Sequence, residues 1–561
     1  MQNHNMRHGT EQARGEVFPT DPTGLPRASA PRLVDLGDDD ELELVLEPVA
    51  KQLGDDLVRM LAYNRSIPGP TLKVRQHSQI GVHVVNNGDL DTTVHWHGLR
   101  LENRYDGVPH STQAPIPVNG EFTYRIQFPD PGLYWYHPHI REDYAQELGL
   151  YGNILVIPTD PDYWPPVDSE IVLTLDDILL ENGKVASFSR TETTYAAMGR
   201  YGNVLLVGGE TDLDFTAHAG EVTRLWLTNT ANTRVFNVTL PGARMKLVGG
   251  DSGRVEHDEF VSEVLLAPSE RAVVDVVFDH PGQYRLEHRT PQRVSTLATV
   301  TVDPGRGASA AADQFDHLRR APELAAERDL LRSWLEAPPS KVLALVATME
   351  DPSKTDARLT QRYACPMHPD VVSDQPGPCP RCGMKLLAEP ADSTGDPTPH
   401  SMPTHGTTGG TQHGSHGHEG PAGPVEIEWE DEMVEVNRRM TAATMHWQIV
   451  DRTSGTDQPP TDWRFTVGDR VKIRLVNEAV SDHPMHHPFH IHGAGRFLVL
   501  ARDGAPSPNL GWKDTVLVRA GQTVDLLLDV THPGLWMAHC HIPEHMHSGM
   551  MFNFTVTKPD T

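Results

Sequence analysis

Thirteen residues near the C-terminal end of the chain, HCHIPEHMHSGMM (His539–Met551), constrain what it can become more tightly than any other segment. The first twelve hold one thiol, four imidazoles and two thioethers, a donor mixture that suits copper. In an extended chain successive side chains point to opposite faces, so His539 and His541 share one face and Cys540 takes the other. One short strand can then serve two metal sites, with Cys540 covalently joined to both neighbouring histidines. A Cys, two His and a weak axial Met make up the ligand set of a blue-copper electron-transfer centre. Cys540, His545 and Met550 supply three of these four, and the fourth should be another His.

HPFHIHG (residues 487–493) offers that histidine. His490 and His492 are two apart and share a strand face, and His487 lies three before His490. Two more such pairs lie upstream: His95 and His97 in HWHG, and His137 and His139 in YWYHPH. One His-x-His pair is weak evidence of a metal site. Four of them, two beside the Cys-His-Met constellation, are not incidental.

These motifs resemble the multicopper oxidase family, in the order and spacing of that family. The resemblance assigns His487, Cys540, His545 and Met550 to a type 1 copper, and His95 and His490 to a type 2 copper. It assigns His97, His137, His139, His492, His539 and His541 to a type 3 pair, so four copper ions are implied. GWKDTV (Gly511–Val516) and GLYGNILV (Gly149–Val156) also look like family sequence, and the similarity covers residues 40–350 and 425–561. The fold implied is all-β: three cupredoxin-like Greek-key sandwich or barrel domains, with a small Cys-rich insertion in the third.

At 561 residues the chain exceeds the ~250–300 at which single cores stop growing, so several domains are required. A formal net charge of −28 disfavours nucleic acid or an anionic membrane as partner. The apolar runs are too short and interrupted for a membrane-spanning helix. MQNHNMRHGTEQARGEV lacks the apolar core of a secretory signal. Either the periplasmic or secreted location that the resemblance implies uses a signal not visible here, or the protein stays inside. A monomer is expected.

Residues 1–35 read as a disordered leader. TLKVRQHSQIGVHVVNN, EFTYRIQF and LYGNILVI alternate or run apolar between Gly, Pro, Asn and Asp breaks, predicting an antiparallel sandwich over residues 36–160. EIVLTLDDILL, EVTRLWLTNT and RAVVDVVF predict a second domain over 165–305, without a His-x-His pair. Residues 306–340 form a linker in which PELAAERDLLRSWLE (322–336) has helical periodicity and Pro338 and Pro339 stop it. KVLALVATM (341–349) begins a third domain, 341–561.

That domain is interrupted. YACPMHPDVVSDQPGPCPRCGMKLL (363–387) carries three of the four cysteines and resembles a small heavy-metal-binding module, placed here at 363–388. Cys365, Cys379 and Cys382 can ligate an extra soft ion, copper or zinc, with Met367, His368 or Met384 completing the site. A structural zinc knuckle and a Cys379–Cys382 disulfide are the alternatives. Residues 389–422 read as a His- and Gly-rich linker with His400, His405, His413, His416 and His418, either incidental or capturing copper weakly.

The resemblance implies that a reductant gives single electrons to a type 1 copper near the surface, through His487 or His545. Cys540 relays them to His539 and His541, and dioxygen is reduced to water at the three-copper cluster. Asp106, eleven residues after His95, is the candidate acid for proton delivery, its alternative being a surface Asp in the YDGVP turn. Glu544 is a second candidate for substrate or proton contact. The reductant is read as a phenol or aromatic amine, as in a laccase. The alternative is Cu(I), as in a cuprous oxidase serving copper tolerance with the insert collecting the ion. Cuprous oxidases of the family place a substrate-copper ligand where Met485 stands, but an acidic residue where this chain has His483, with Asp482 before it. A copper-storage protein without turnover is the third reading.

Overall fold

The computed structural model describes residues 17–559 except 306, 308, 350–358, 366–367, 369, 374, 376, 382–383, 391–426, 454, 456–458 and 462. Six of its sheets face one another in three pairs, each pair closing on its own apolar cluster. In the first pair, a sheet of Leu33–Asp35, Thr71–Arg75, Gly152–Ile157, Gly132–His137 and His95–His97 packs on one built from Asp56–Tyr63, Glu41–Leu53, Gln79–Asn86 and Glu121–Gln127. Alternation in these strands puts Val82, Val84, Tyr124 and Ile126 inside, as period-two patterning requires.

Sheets of six and five strands between Ser169 and Asp303 form the second sandwich. The third joins the strand Lys341–Met349 to strands beyond residue 440, and its five-stranded sheet carries His487–Ile491 and Gly534–Cys540 side by side. The sheets are mixed rather than antiparallel throughout. Glu41–Leu46 runs parallel to Gly81–Asn86, and Leu72–Arg75 parallel to Ile154–Ile157. In both cases strands distant in sequence become neighbours by crossing between sheets, which a hairpin alternation cannot reveal.

Helix Pro322–Glu336 forms where its periodicity predicts, with Pro at its first turn and Ala337 leaving the helical region before Pro338. Leu324 and Leu331 bury against Leu498, Leu500 and Leu527 of the third sandwich. The leader is a correction. From Val17 onward it is ordered: Phe18 stacks on Tyr144 at 3.8 Å under Arg190, and its N–H donates to the Phe188 carbonyl at 3.0 Å. A single buried aromatic in a polar stretch supplies that anchor, and composition alone overlooks it.

The insert contributes a three-stranded sheet, Val372–Ser373, Leu359–Ala364 and Leu387–Pro390. Cys365, Cys379, Met384 and Leu386 belong to the same apolar cluster as Leu345 and Trp447 of the third sandwich. The module is thus packed onto its host. Residues 1–16, Met367, Cys382 and the five linker histidines lie outside the described residues. Among the described residues no helix is long and apolar enough to cross a membrane.

Candidate metal centre

The eight paired histidines converge between the first and third sandwiches. Register does the first part of the work: His95 sits opposite His137, and His490 opposite His539. All eight rings are buried. Three trios have donor atoms within 4.8 Å of one another: His95, His97 and His137; His95, His490 and His492; and His139, His492 and His539. His541 adds to the group, its ring centroid 5.0 Å from His97 and 5.1 Å from His137.

Most of these rings spend one nitrogen on an outer partner. Nδ1–H of His95, His137 and His490 donates to the carbonyls of Asp106 (2.7 Å), Pro138 (2.7 Å) and Asp514 (2.9 Å). His139 Nδ1 lies 2.9 Å from Glu142 Oε1, and His492 Nδ1 lies 2.8 Å from Asp106 Oδ2. The opposite nitrogens of His95, His97, His137, His139 and His490, and both of His541, are buried without a partner. Such orphans are costly unless a ligand takes them, and one outward hydrogen bond per ring is the usual support of a metal-bound imidazole. Burial, reinforced by neighbouring rings, pulls His97, His137, His490 and His539 far below the ordinary imidazole range, and His492 and His541 to about 3. These six rings are neutral donors with a free lone pair. The residues present fit copper.

Across the strand, Cys540 Sγ lies 3.5 Å from His487 Nδ1 and 3.8 Å from His545 Nδ1, and the two nitrogens are 3.3 Å apart. Donors bound to one ion at about 2.0 Å (N) and 2.3 Å (S) are separated by that much. Burial pushes the Cys540 thiol up, so a cation must displace its proton. Met550 is fully buried beside the set, and its carbonyl accepts the Cys540 N–H at 3.0 Å. His539 and Cys540 thus project to opposite sides of Gly534–Cys540, as alternation requires.

The Cys540 set is not open to solvent. His487 and His545, the expected entry points for electrons, are both buried. Trp447 stacks on the His545 ring at 4.0 Å, meets His487 edge-on at 4.9 Å and donates Nε1–H to the Ala196 carbonyl at 2.6 Å.

Asp106 is buried, not a surface turn residue. Burial alone would raise its pKa, but His492 and His95 outweigh it and hold the carboxyl well below the usual range. Gly107 (φ +82°) makes this placement feasible, since a Cβ there would stand 2.0 Å from the Val94 carbonyl oxygen. Glu544 is buried with both oxygens unpartnered, and burial with Asp143 nearby pushes it far up. It cannot touch a substrate in solution, which corrects that part of its expected role.

Several residues escaped the sequence reading. Asp514 reaches His97 Nε2 at 3.0 Å and is held by Arg271 of the second sandwich at 2.7 and 2.5 Å. It stands inside GWKDTV, the one available signal. Glu142, three after His139, also receives His547 Nε2 at 2.7 Å, tying the helix Pro543–His547 to the histidine cluster. Met485 is buried. His483 Nε2 faces Met198 Sδ at 3.1 Å, and the Asp482 carboxylate accepts from Met349 N–H at 2.9 Å and Lys385 Nζ at 3.1 Å.

In the insert, His368 Nδ1 lies 3.7 Å from Cys365 Sγ and 3.6 Å from Cys379 Sγ, a compact soft-donor trio. Cys379 carries a thiol, not a disulfide.

Residues 48–161 and 429–560 each match a multicopper oxidase family, and residues 362–389 match the heavy metal binding domain. The chain is 26% identical to the multicopper oxidase MmcO of Mycobacterium tuberculosis, covering 90% of this chain and 85% of that one. A copper resistance protein A homolog of Pseudomonas syringae pv. tomato is 23% identical over 91% of each chain, and laccase-3 of Oryza sativa subsp. japonica 23% over 89% and 88%. Among solved structures, the laccase-like multi-copper oxidase CueO of Ochrobactrum sp. superposes with a TM-score of 0.64 at 20% identity, over 95% of this chain and all of that one. The architecture is accordingly three cupredoxin-like domains. The chain belongs to the multicopper oxidases, copper-dependent oxidoreductases that use dioxygen, with a heavy metal binding domain set into its third domain.

Proposed function

We propose that this enzyme couples one-electron oxidation of phenols or aromatic amines to the four-electron reduction of dioxygen to water. One observation carries the reading: Cys540 faces His487 and His545 while the residues on either side of it, His539 and His541, face the histidine cluster. His487, Cys540, His545 and Met550 would hold a type 1 copper, His95 and His490 a type 2 copper, and the remaining six histidines a type 3 pair. Bound copper supplies one-electron transfer and the reduction of dioxygen.

The chain's own residues do the rest. Cys540 offers a covalent path to both neighbours, shortened by the His539 Nδ1–H bond to its own carbonyl at 2.8 Å. Asp106 orients His492 and His95 and is the buried carboxylate best sited to carry a proton at the cluster. Glu142 and Asp514 fix His139 and His97. A monomer working outside the cytoplasm is part of the proposal.

A second reading, a cuprous oxidase in copper tolerance, is favoured by the insert's shared core with the third domain. Copper analysis together with oxygen uptake tests both: four coppers per chain and one dioxygen consumed per four phenol or Cu(I) equivalents are expected. A copper-loaded protein that takes up no oxygen with a phenol, an aromatic amine or Cu(I) would instead be a store.

A further inference from the structure

The insert is docked so that its soft-donor trio connects to the Cys540 set through hydrogen bonds, a strand pairing and one ring contact. Cys379 N–H donates to the Met384 carbonyl at 2.7 Å, and the next residue, Lys385, donates its N–H to the Asp482 carbonyl at 2.6 Å. Asp482 N–H in turn donates to the Ala347 carbonyl at 3.1 Å. Ala347 stands opposite Trp447 across the pairing of Lys341–Met349 with Met445–Asp451. Trp447 then lies flat on His545. The Lys385 Nζ also clamps the Met349 carbonyl (2.7 Å) and the Asp482 carboxylate, so the module's position is fixed by main chain and side chain together. A cleft of about 870 Å³ opens between Pro378 and Lys385 of the module and Gly549 and Met551, which flank Met550. Pro378 and Lys385 adjoin Cys379 and Met384. The cleft therefore passes next to Cys379 in sequence, on the side of the module that faces the third sandwich.

We propose that Cys365, His368 and Cys379 hold Cu(I) as a reducing substrate, and that the docked module passes its electron along Met384, Lys385, Asp482, Ala347 and Trp447 to His545. This rests on the oxidase reading and gives its second form a site. Each Cu(I) loses one electron, becomes Cu(II) and leaves toward the cleft, since two thiolates and an imidazole favour the softer cuprous state. Four such electrons and four protons convert one dioxygen to two waters. The module is then an electron port and not a store.

The test uses the full-length, copper-loaded protein without oxygen, mixed with Cu(I) bicinchoninate or with 2,6-dimethoxyphenol. The bleaching of the blue thiolate-to-copper absorption is followed with each. Cys365→Ser should lower the ratio of the Cu(I)-driven to the phenol-driven rate at least tenfold, and equilibrium competition should show one Cu(I) fewer bound per chain. His368→Ala, at a half-buried position, repeats both measurements should the serine variant misfold. An unchanged ratio in either folded variant overturns the port, as does Cu(I) binding at the trio without bleaching. If neither reductant bleaches the wild-type protein, it is the oxidase reading itself that falls.

Discussion

Asp106 shows how much one carboxylate can be asked to do. It is enclosed, its Oδ2 accepts from His492 at 2.8 Å, and its Oδ1 has no hydrogen-bond donor although His95 Nδ1 is 3.4 Å away. Asp106→Asn preserves the volume and an acceptor for His492 but removes the charge. We expect the blue absorption and its anaerobic bleaching to survive and reoxidation by dioxygen to slow at least tenfold. Reoxidation at the wild-type rate would remove Asp106 from proton handling. Arg271 makes a complementary case. Its guanidinium is fully buried and held by Asp514 on two sides, so Arg271→Ala would leave Asp514 an uncompensated buried charge beside His97. Breaking such a pair costs about 3–5 kcal/mol. The variant should therefore unfold at clearly lower denaturant and lose cluster copper while keeping its blue colour. Equal stability would mean that water replaces the guanidinium.

At the scale of elements, the sequence was legible wherever chemistry repeats at short range. His-x-His on a strand, Cys540 between two histidines, and the apolar stripe of Pro322–Glu336 each follow from a local period. What it hid are contacts made over long separations. Arg271 meets Asp514 across 243 positions, and Trp447 reaches His545 from a strand with no metal motif of its own. The burial of Asp106 was open in the sequence for the same reason, because a YDGVP turn reads alike on a surface or against a cluster. Trp447 also yields a prediction with two signs. The ring covers one face of His545 and ends the contact chain from the insert, so Trp447→Leu should loosen the packing around His545 and cut that chain. Bleaching by a phenol should become several-fold faster and bleaching by Cu(I) slower. Rates that move together would show that the ring is packing alone.

Over the whole molecule, the second sandwich touches the third along a seam where Val235 and Ala267 share a small apolar cluster with Ile427 and Leu517. Beside it lies His288, its ring 6.1 Å from Trp429 and its Nδ1 accepting the Asn237 N–H at 3.0 Å. Burial, helped by the Arg234 guanidinium, pulls His288 down to about 4. An unfolded chain binds that proton near pH 6.5. Between about pH 6.5 and 4 the unfolded state therefore holds more protons than the folded one, and stability rises with pH across that window. The contribution is complete above about pH 6.5 and is lost as pH falls toward 4, about 2 kcal/mol of it between pH 7 and 5. His288→Gln keeps an acceptor for Asn237 and removes the titration. Denaturant midpoints of the two proteins should converge on acidification, because the wild type loses that increment and the variant does not. Parallel midpoints from pH 7 to 5 would mean that the ring is protonated in place, and that the seam between the second and third domains does not register acid through it.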